Sequence, residues 1–323
     1  LALYGWRASQ SGIMPPNPAF AAISREGSLV FNNVLLALAC AVVLLGTLYP
    51  LALQVLGLPP VSVGPPYFEA TVVPLMAPLL PVMAIAPFLP WRQAPLAPVM
   101  RRMRVPALLV VIASLAIIWP DSPARALASA GYALGIWVLV ASVMQWAERA
   151  KYRLTSAMSL PAWQQGMTLA HIGVGVMVLG IAGSAAWSED RILRMAPGER
   201  VEFAGYSIAF EGAAQVQGPN YVADQGILRD DESKVILAPE KRWYPVAQMR
   251  TTEAAIVFDG WGNLYATLGQ PDESNLPLDR PAADQSASLT DPASLAWSIH
   301  LQYHPMIVLI WLGTAIMALG GVW

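Results

Sequence analysis

A histidine inside an apolar stretch is the residue of this chain best suited to chemistry. His171 lies in an uncharged run, residues 167–188, and the 323 residues contain only three histidines. An ionisable side chain within a membrane helix is costly and is functional by default. A neutral imidazole is a common metal ligand and an axial ligand of haem iron. His171 is therefore a candidate haem ligand, while a histidine hydrogen-bonded between two helices stays open as the structural alternative.

Small residues surround His171 along the same segment. They are Gly166, Ala170, Gly173, Gly175, Gly180 and Gly183. Small side chains allow a neighbouring helix to approach the backbone closely, and they leave the same room for a flat macrocycle. The pattern predicts a close contact with one or the other.

The other two histidines, His300 and His304, flank Leu301-Gln302-Tyr303. Their i, i+4 spacing would place both on one helical face, which a pair of metal ligands requires. No carboxylate or third ligand is spaced to complete a site, and polar aromatic side chains are common at the membrane–water interface. We therefore predict a structural role for both histidines.

The remaining sequence excludes several classes of function. The single Cys40 provides neither a disulfide pair nor a metal pair. The chain contains no glycine-rich phosphate loop, nucleophile elbow or zinc-binding helix signature. Basic patches with interleaved aromatic residues are absent, which argues against a nucleic-acid partner, and charged residues in the middle of the membrane, typical of transporters, are missing. A hydrolase or nucleotide enzyme is disfavoured, and no catalytic residue is assigned.

Several apolar segments, including the one that carries His171, predict a membrane protein. Hydrophobic residues make up 56% of the chain and charged residues only 12%. Most of the uncharged segments reach the roughly 20 residues that cross a bilayer; they are residues 29–66, 70–91, 105–120, 126–147, 167–188 and 305–323. Residues 1–187 are predicted to form a transmembrane bundle, with a partial first helix at residues 1–6 and about five spans after it. Residues 305–323 are predicted to form a final transmembrane helix.

The charges divide unevenly along the chain. Residues 188–304 contain nine basic and seventeen acidic residues, a net charge of −8, whereas the rest of the chain carries +6. Short loops rich in arginine and lysine, residues 92–104 and 149–153, are predicted to be cytoplasmic. Residues 188–304 then form a domain on the opposite side of the bacterial inner membrane, in the periplasm.

Within this acidic domain the hydrophobic pattern changes from helical to alternating. Residues 200–211 predict two strands joined at Ala204-Gly205, and further strands are predicted at 233–237, 254–259 and 264–268. The strands indicate a small antiparallel sheet or barrel, and residues 270–292 a mobile loop. The predicted fold class is an α-helical polytopic membrane protein with a small β-rich periplasmic domain.

A set of motifs occurs in order along almost the whole chain. They are Ser24-Arg25-Glu26-Gly27, Asn32-Asn33, Leu44-Leu45-Gly46-Thr47-Leu48-Tyr49-Pro50, Ser62-Val63-Gly64-Pro65-Pro66-Tyr67-Phe68, Leu169-Ala170-His171-Ile172-Gly173-Val174, Gly218-Pro219-Asn220-Tyr221, Thr251-Thr252-Glu253-Ala254-Ala255-Ile256 and Trp311-Leu312-Gly313. In these residues the chain resembles the CcmF-type haem lyase of cytochrome c maturation, system I, and corresponds to its C-terminal half.

The resemblance implies an activity, cofactors and partners. A protein of this type takes haem from a haem chaperone and joins its vinyl groups to the two cysteines of a CxxCH motif in apocytochrome c. It also implies a stable haem b between two transmembrane histidines, of which His171 matches one. The second histidine, the tryptophan-rich motif and the external haem ligands of the family are expected to precede Leu1. Thioredoxin-like subunits that present the apocytochrome are the further partners implied.

Two aromatic and cationic segments are candidate contacts for haem or a partner protein. One contains Pro66, Tyr67 and Phe68, and the other Arg242, Trp243 and Tyr244. Anchoring of the protein at lipid headgroups explains either segment equally well. Two other functions stay open: a scaffold that docks apocytochrome-presenting subunits without catalysis, and a paralogue dedicated to a special cytochrome such as a nitrite reductase.

Overall fold

A computed structural model of the chain describes residues 20–59, 61–93, 95–117, 123–230, 232–271 and 295–323. The helices before the strands are α1 (Arg25–Val55), α2 (Pro65–Ile85) with a 3₁₀ turn (Ala86–Phe88), α3 (Leu96–Arg102), α4 (Arg104–Ile117), α5 (Pro123–Arg149), α6 (Leu154–Met158) and α7 (Ala162–Trp187). A last helix, α8 (Ile307–Val322), follows the strands. The predicted helix end at residues 1–6 lies outside the described residues.

Four of these helices are long and apolar enough to cross a membrane: Arg25–Val55, Pro65–Phe88, Leu127–Arg149 and Ala162–Trp187. Two further apolar helices are shorter. The first is α4, which is followed by residues outside the described part of the chain, and the second is α8 with 16 residues. The structure thus supports a polytopic helical membrane unit, with fewer full-length spans among the described residues than the sequence predicts.

Helices α1 and α2 form an antiparallel hairpin whose ends are defined by local chemistry. Ser24 caps α1, because its side chain accepts a hydrogen bond from the Gly27 amide at 3.0 Å. Pro65 and Pro66 occupy the first turn of α2, where a missing N–H is tolerated. Despite three internal prolines, α2 continues unbroken to Ile85.

The strands are β1 (Glu189–Met195), β2 (Arg200–Phe203), β3 (Tyr206–Gln217), β4 (Val222–Asp230), β5 (Ile236–Leu237), β6 (Glu240–Tyr244), β7 (Met249–Glu253), β8 (Ala255–Phe258), β9 (Gly262–Pro271) and β10 (Trp297–Pro305). They form two antiparallel sheets. One has the order β1-β10-β9-β8, and the other β2-β3-β4-β6-β7 with β5 paired to β4. Of the predicted mobile loop, residues 272–292 lie outside the described residues, and its first two residues end β9.

Alternation of apolar and polar residues gives each sheet one buried face. The shared core contains side chains from both sheets, among them Phe203, Phe210, Leu228, Leu264, Ile299, Leu301 and Trp297. The predicted hairpin at Ala204-Gly205 is confirmed, and both residues have the positive φ angles, 49° and 85°, that a tight two-residue turn requires. The predicted β-rich fold is therefore a sandwich of two sheets.

The described residues form two compact units. One contains α1 to α4 together with residues 132–176 and 313–323, and the other contains residues 123–131, 177–230, 232–271 and 295–312. His171 belongs to the first, helical unit. His300 and His304 belong to the second, β-sandwich unit.

Candidate functional site

His171 lies near the middle of a long helix. Because α7 begins at Ala162, His171 is nine residues, or about 14 Å, from the helix start. From the apolar run alone the helix is predicted to start near Met167, which would leave His171 only about 6 Å deep. The polar Gln164 and Gln165 extend the helix, so the imidazole lies closer to its centre than the sequence indicates.

The His171 side chain is half-buried, and no hydrogen bond joins it to a described residue. The structure therefore gives the interhelical hydrogen-bond alternative no partner in the described part of the chain. No group of three His, Cys, Asp or Glu side chains there stands close enough to hold a metal ion either. The assignment of His171 as an axial ligand of haem therefore stays a prediction.

The small residues of α7 pack against helices. A Cβ added at Gly173 would lie 2.6 Å from the Gly313 carbonyl oxygen of α8, and one at Gly180 2.8 Å from the Ile310 nitrogen. At 100° per residue, Gly173 and Gly180 lie on the side of α7 opposite His171. Of the two alternatives for these residues, close helix packing is the one observed.

Gly175, one turn after His171, lies on nearly the same side of α7 and contacts α5. An added Cβ there would lie 2.6 Å from Leu139 Cγ and 3.1 Å from the Gly135 carbonyl oxygen. His171 therefore faces the α5 side of α7. At this level α5 presents a face that includes Val138 and Ser142, both buried.

Further along the same face of α5 are polar groups without partners. The Gln145 side chain is only 3% exposed, and neither its nitrogen nor its oxygen has a hydrogen-bond partner. The Arg149 Nη1 atom is also buried and unpaired. Neither residue is predicted as a site residue from the sequence. A glutamine within an apolar run is the signal that would have identified the first.

His300 and His304 lie on strand β10, not on a helix. Residues i and i+4 of a strand share a face but are about 13 Å apart, so the two imidazoles do not form a metal pair. His300 Nε2 is 2.7 Å from Asp190 Oδ1 of β1, and His304 Nδ1 is 3.1 Å from the Ser188 hydroxyl. These contacts agree with the predicted structural role.

Asp190 joins the two strands through both of its oxygens. Gln302 Nε2 donates to Asp190 Oδ2 at 2.9 Å while His300 contacts the other oxygen. The hydrogen bond from Gln302, and then the one from His300, hold the pKa of Asp190 below its ordinary value. This exposed cluster fastens β1 to β10.

In the first candidate contact segment, Tyr67 and Phe68 pack within the helical unit. The Tyr67 hydroxyl donates to the Val42 carbonyl oxygen at 3.1 Å, and a Cβ added at Gly46 would lie 2.6 Å from the Tyr67 ring. The Phe68 ring meets the Tyr67 ring edge-on at 5.2 Å. Pro66 is exposed. The segment is the first turn of α2 rather than a loop, and two of its three side chains hold α1 against α2.

In the second candidate segment, Arg242 is paired within the sandwich. Its Nε atom lies 2.7 Å from Glu240 Oε2 and its Nη1 atom 3.4 Å from Glu253 Oε1. The hydrogen bond to Glu240 is the main cause that raises the pKa of Arg242. The guanidinium also lies 4.5 Å from the Tyr221 ring centroid, and the Tyr221 and Tyr244 rings are 5.5 Å apart.

Trp243 lies beside Arg250, whose guanidinium is 5.7 Å from the indole. The cationic groups of this segment thus have partners in their own sheet. A contact with haem or a partner protein, through either candidate segment, stays a prediction.

Comparison with known proteins gives a consistent result. Residues 186–305 match the family model described as the CcmF C-terminal beta-sandwich. The chain is 35% identical to the cytochrome c-type biogenesis protein CycK of Bradyrhizobium diazoefficiens, over 100% of this chain and 47% of the relative. It is also 35% identical to CcmF of Pseudomonas aeruginosa, over 99% of this chain and 46% of the relative.

A solved structure of the cytochrome c heme lyase CcmF shares the fold, with a TM-score of 0.66 over 94% of this chain and 46% of that one. The sequence identity to that structure is 23%, so this similarity concerns the fold alone. The chain spans about half the length of the relatives that it matches.

Proposed function

The chain belongs to the CcmF family of cytochrome c-type biogenesis proteins, and from this premise we propose that it forms part of a cytochrome c haem lyase in the bacterial inner membrane. Its substrates are haem, delivered by a haem chaperone, and an apocytochrome c presented by thioredoxin-like maturation subunits. In the attachment step, each CxxCH thiol adds across one haem vinyl group. Sulfur bonds to one vinyl carbon and the thiol hydrogen to the other, so no external oxidant is needed.

The proposal includes a resident haem b with His171 as one axial ligand. The observation that carries it is a half-buried imidazole near the middle of a membrane helix, without a hydrogen-bond partner among the described residues. Such a side chain is expensive in a bilayer unless it binds something. The second ligand would be a histidine of the full-length protein that is not among these 323 residues. When bound, the haem would supply one-electron redox chemistry.

The orientation is part of the same proposal. Two basic segments between the long helices face the cytoplasm by the positive-inside rule. One contains Arg101 and Arg102 of α3 and Arg104 at the start of α4, and the other contains Lys151 and Arg153. Since α7 leads directly into β1, the β sandwich then lies in the periplasm, where thioether attachment takes place. His171 would lie within the membrane, away from the attachment site, which favours a redox or structural role for its haem over transfer of that haem.

An optical spectrum tests the proposal most directly. The full-length protein is purified in detergent and its oxidised and reduced spectra are recorded, together with its haem-to-protein ratio. We expect a low-spin haem b in the wild type, and loss or conversion of that signal in His171→Ala with the protein still inserted. Added imidazole is expected to restore part of the spectrum by filling the iron position. An unchanged bis-histidine spectrum and full maturation activity in His171→Ala would exclude this assignment.

The same experiment separates the alternatives. A scaffold that only docks apocytochrome-presenting subunits would be purified without haem and would support complex assembly in the His171→Ala variant. A paralogue dedicated to a special cytochrome would keep the haem signal but fail to mature ordinary c-type cytochromes. An accessibility assay tests the orientation: cysteines placed at Arg101 and Ser156 should resist an impermeant thiol reagent from outside, while one at Ser62 should react.

A further inference from the structure

The unpaired polar groups of α5 indicate a binding site that the sequence motifs do not reveal. The Gln145 side chain is buried, with only 3% of it exposed, and both of its polar atoms lack hydrogen-bond partners. An unpaired buried amide costs free energy of about 1–3 kcal/mol. A side chain kept at that cost within a membrane helix is explained if it binds a polar group that is not part of the described chain.

Arg149 lies one turn beyond Gln145 on the same face of α5. Its Nη1 atom is buried without a partner. Arg25, at the start of α1, lies 4.9 Å from the ring centroid of Trp91. A buried guanidinium nitrogen without a partner favours an anion beside it, because an unpaired buried charge is costly.

The nearby carboxylates do not supply that anion. Glu26 Oε2 accepts a hydrogen bond from the Arg92 amide at 2.8 Å, and Glu148 Oε2 lies 3.7 Å from Arg102 Nη1. Within the described part of the chain, neither Arg25 nor Arg149 forms an ion pair with a carboxylate. The positive charge at this end of the helical unit is therefore in excess.

We propose that Gln145 and Arg149 form a binding site for an oxyanion, a carboxylate or a phosphate, at the arginine-rich end of the membrane helices. The Arg149 guanidinium and the Gln145 amide nitrogen donate to the anion. The Gln145 amide oxygen accepts from a bridging water or from a hydroxyl of the bound group.

Two groups could supply such an oxyanion within a membrane: a haem propionate and a lipid phosphate. Helices α5 and α7 run antiparallel, because Gly131 packs on Ala182 while Gly135 packs on Gly175. His171 is therefore level with about residue 141 of α5, and Gln145 and Arg149 lie roughly 6 and 12 Å beyond it. If the anion is a propionate of a haem held by His171, Gln145 and Arg149 would hold that propionate, and this version of the site rests on the proposed function.

The test uses full-length protein with single substitutions that remove each donor. Gln145→Leu keeps the volume, Arg149→Met removes the charge, and Arg149→Lys retains it. Arg153→Met is the matched control, since Arg153 is an exposed arginine at the same end of the helical unit. Two measurements are made on each: haem content with the midpoint potential, and retention of phosphatidylglycerol relative to phosphatidylcholine by native mass spectrometry.

If the anion is a haem propionate, Arg149→Met loses haem roughly tenfold faster, as expected for one charge-assisted hydrogen bond. Its midpoint potential also falls, because a cation near the haem favours the reduced state. If the anion is a lipid phosphate, haem is unchanged and phosphatidylglycerol retention falls in Arg149→Met and Gln145→Leu. In both cases Arg149→Lys is intermediate and Arg153→Met resembles the wild type.

The inference is overturned if Gln145→Leu and Arg149→Met match the wild type in both measurements. Absence of haem from the wild type would instead contradict the proposed function, while the lipid measurement would still test the anion site. Thermal stability adds a readout for Gln145→Leu: in detergent without the anion the variant is more stable than the wild type, because it removes an unpaired buried amide. With the anion bound, the order reverses.

Discussion

Asp259 and Asp230 of the β sandwich each accept several hydrogen bonds, whereas Gln145 and His171 of the helical unit have no hydrogen-bond partner among the described residues. In the sandwich, Asp259 Oδ2 accepts from the Tyr206 and Tyr303 hydroxyls, and Oδ1 accepts from the backbone amides of Trp261 and Gly262. In the helical unit, Gln145 has no partner at either end, and His171 has none among the described residues.

A buried carboxylate of the sandwich likewise has several hydrogen-bond partners. Asp230 is 4% exposed, and its oxygens accept from the Ser207 amide and from both the amide and the hydroxyl of Ser233. Such a group specifies a turn and needs no ligand. Asp230 and Asp259 therefore stabilise the sandwich fold, whereas Gln145 and His171 are the residues that, in our proposals, bind a group outside the described chain.

The largest effect is expected from a change that separates the helices around His171. A Cβ at Gly320 would lie 2.6 Å from both the Ala170 nitrogen and the Gly166 carbonyl oxygen, which are backbone atoms that cannot move aside. Gly320→Val is therefore expected to destabilise the helical unit by about 3 kcal/mol or more, since overpacking alone costs roughly 1–3 kcal/mol. The measurement is SDS titration of the purified protein, followed by tryptophan fluorescence.

Gly321→Val is the control for this substitution. A Cβ at Gly321 meets nothing within 4 Å, so the control carries the same change of helix propensity without the clash. Equal loss of stability in the two variants would show that α7 and α8 are not held by this contact, and it would remove the structural basis for the orientation of His171.

The second prediction concerns the sandwich. Asp259→Ala removes the acceptor of four hydrogen bonds, of which only the one from the Gly262 amide is partly buried. Hydrogen bonds to charged groups contribute about 1.5–3 kcal/mol when shielded and less when exposed, so a loss of about 2 kcal/mol is expected. Limited proteolysis at rising temperature measures it.

In the Asp259→Ala variant, cleavage is expected within the β strands at lower temperature, with no change in the haem spectrum. A change in the haem spectrum would mean that the sandwich contributes to haem binding, contrary to the proposal that the helical unit alone of the two binds haem.

The third prediction is a loss of sandwich stability at high pH. Burial, and then the hydrogen bond to Asp259, raise the pKa of Tyr206 to about 12, and Tyr303 shifts in the same direction for the same reasons. Because the folded-state pKa of Tyr206 lies above the ordinary tyrosine value of about 10, its hydrogen bond to Asp259 stabilises the folded sandwich fully below about pH 10. This stabilisation is lost as pH rises toward about 12.

Ionised Asp259 makes the stability of the sandwich depend on pH at the acidic end as well. Burial acts to raise its pKa, but the amides of Gly262 and Trp261 and the two tyrosine hydroxyls outweigh burial, so the pKa lies below its ordinary value. This stability is present above about pH 4 and is lost as pH falls through the folded-state pKa. The double variant Tyr206→Phe, Tyr303→Phe should lack the alkaline loss; if it retains the loss, other groups are responsible.

The sequence predicts those elements whose formation depends on residues close together along the chain. The apolar runs identify the long helices, and alternation with a Gly-containing turn identifies the β2–β3 hairpin. Strands β1, β4, β6, β7 and β10 were not predicted; of these, β1 and β10 pair across more than a hundred residues. The i, i+4 spacing of the two histidines of β10 was considered for a helical face, because the spacing alone does not distinguish a helix from a strand.

The candidate site could be predicted only in part. An imidazole in an apolar run is visible without any structure, so His171 was found. Gln145 and Arg149 differ from ordinary polar residues only in lacking partners, and that property exists only once α5 is packed against its neighbours. Conversely, Tyr67 and Arg242 were selected by residue type, although their hydroxyl and guanidinium groups already bond within the fold.

The smallest effect is expected at the histidines of the sandwich, and it bears directly on the contrast with His171. His300 contacts Asp190 in a solvent-exposed pair, which is worth less than about 1 kcal/mol, and Gln302 still holds Asp190 when the imidazole is removed. His300→Ala and His304→Ala should therefore lower the melting temperature only slightly. Because neither side chain is available as a haem ligand in this proposal, both variants should keep the haem-to-protein ratio and the reduced spectrum of the wild type, in the same preparation in which His171→Ala loses them. If either variant lost the haem signal while its sandwich remained folded, the division of roles between the two units would be wrong, and the histidines of β10 would have to be counted among the ligands.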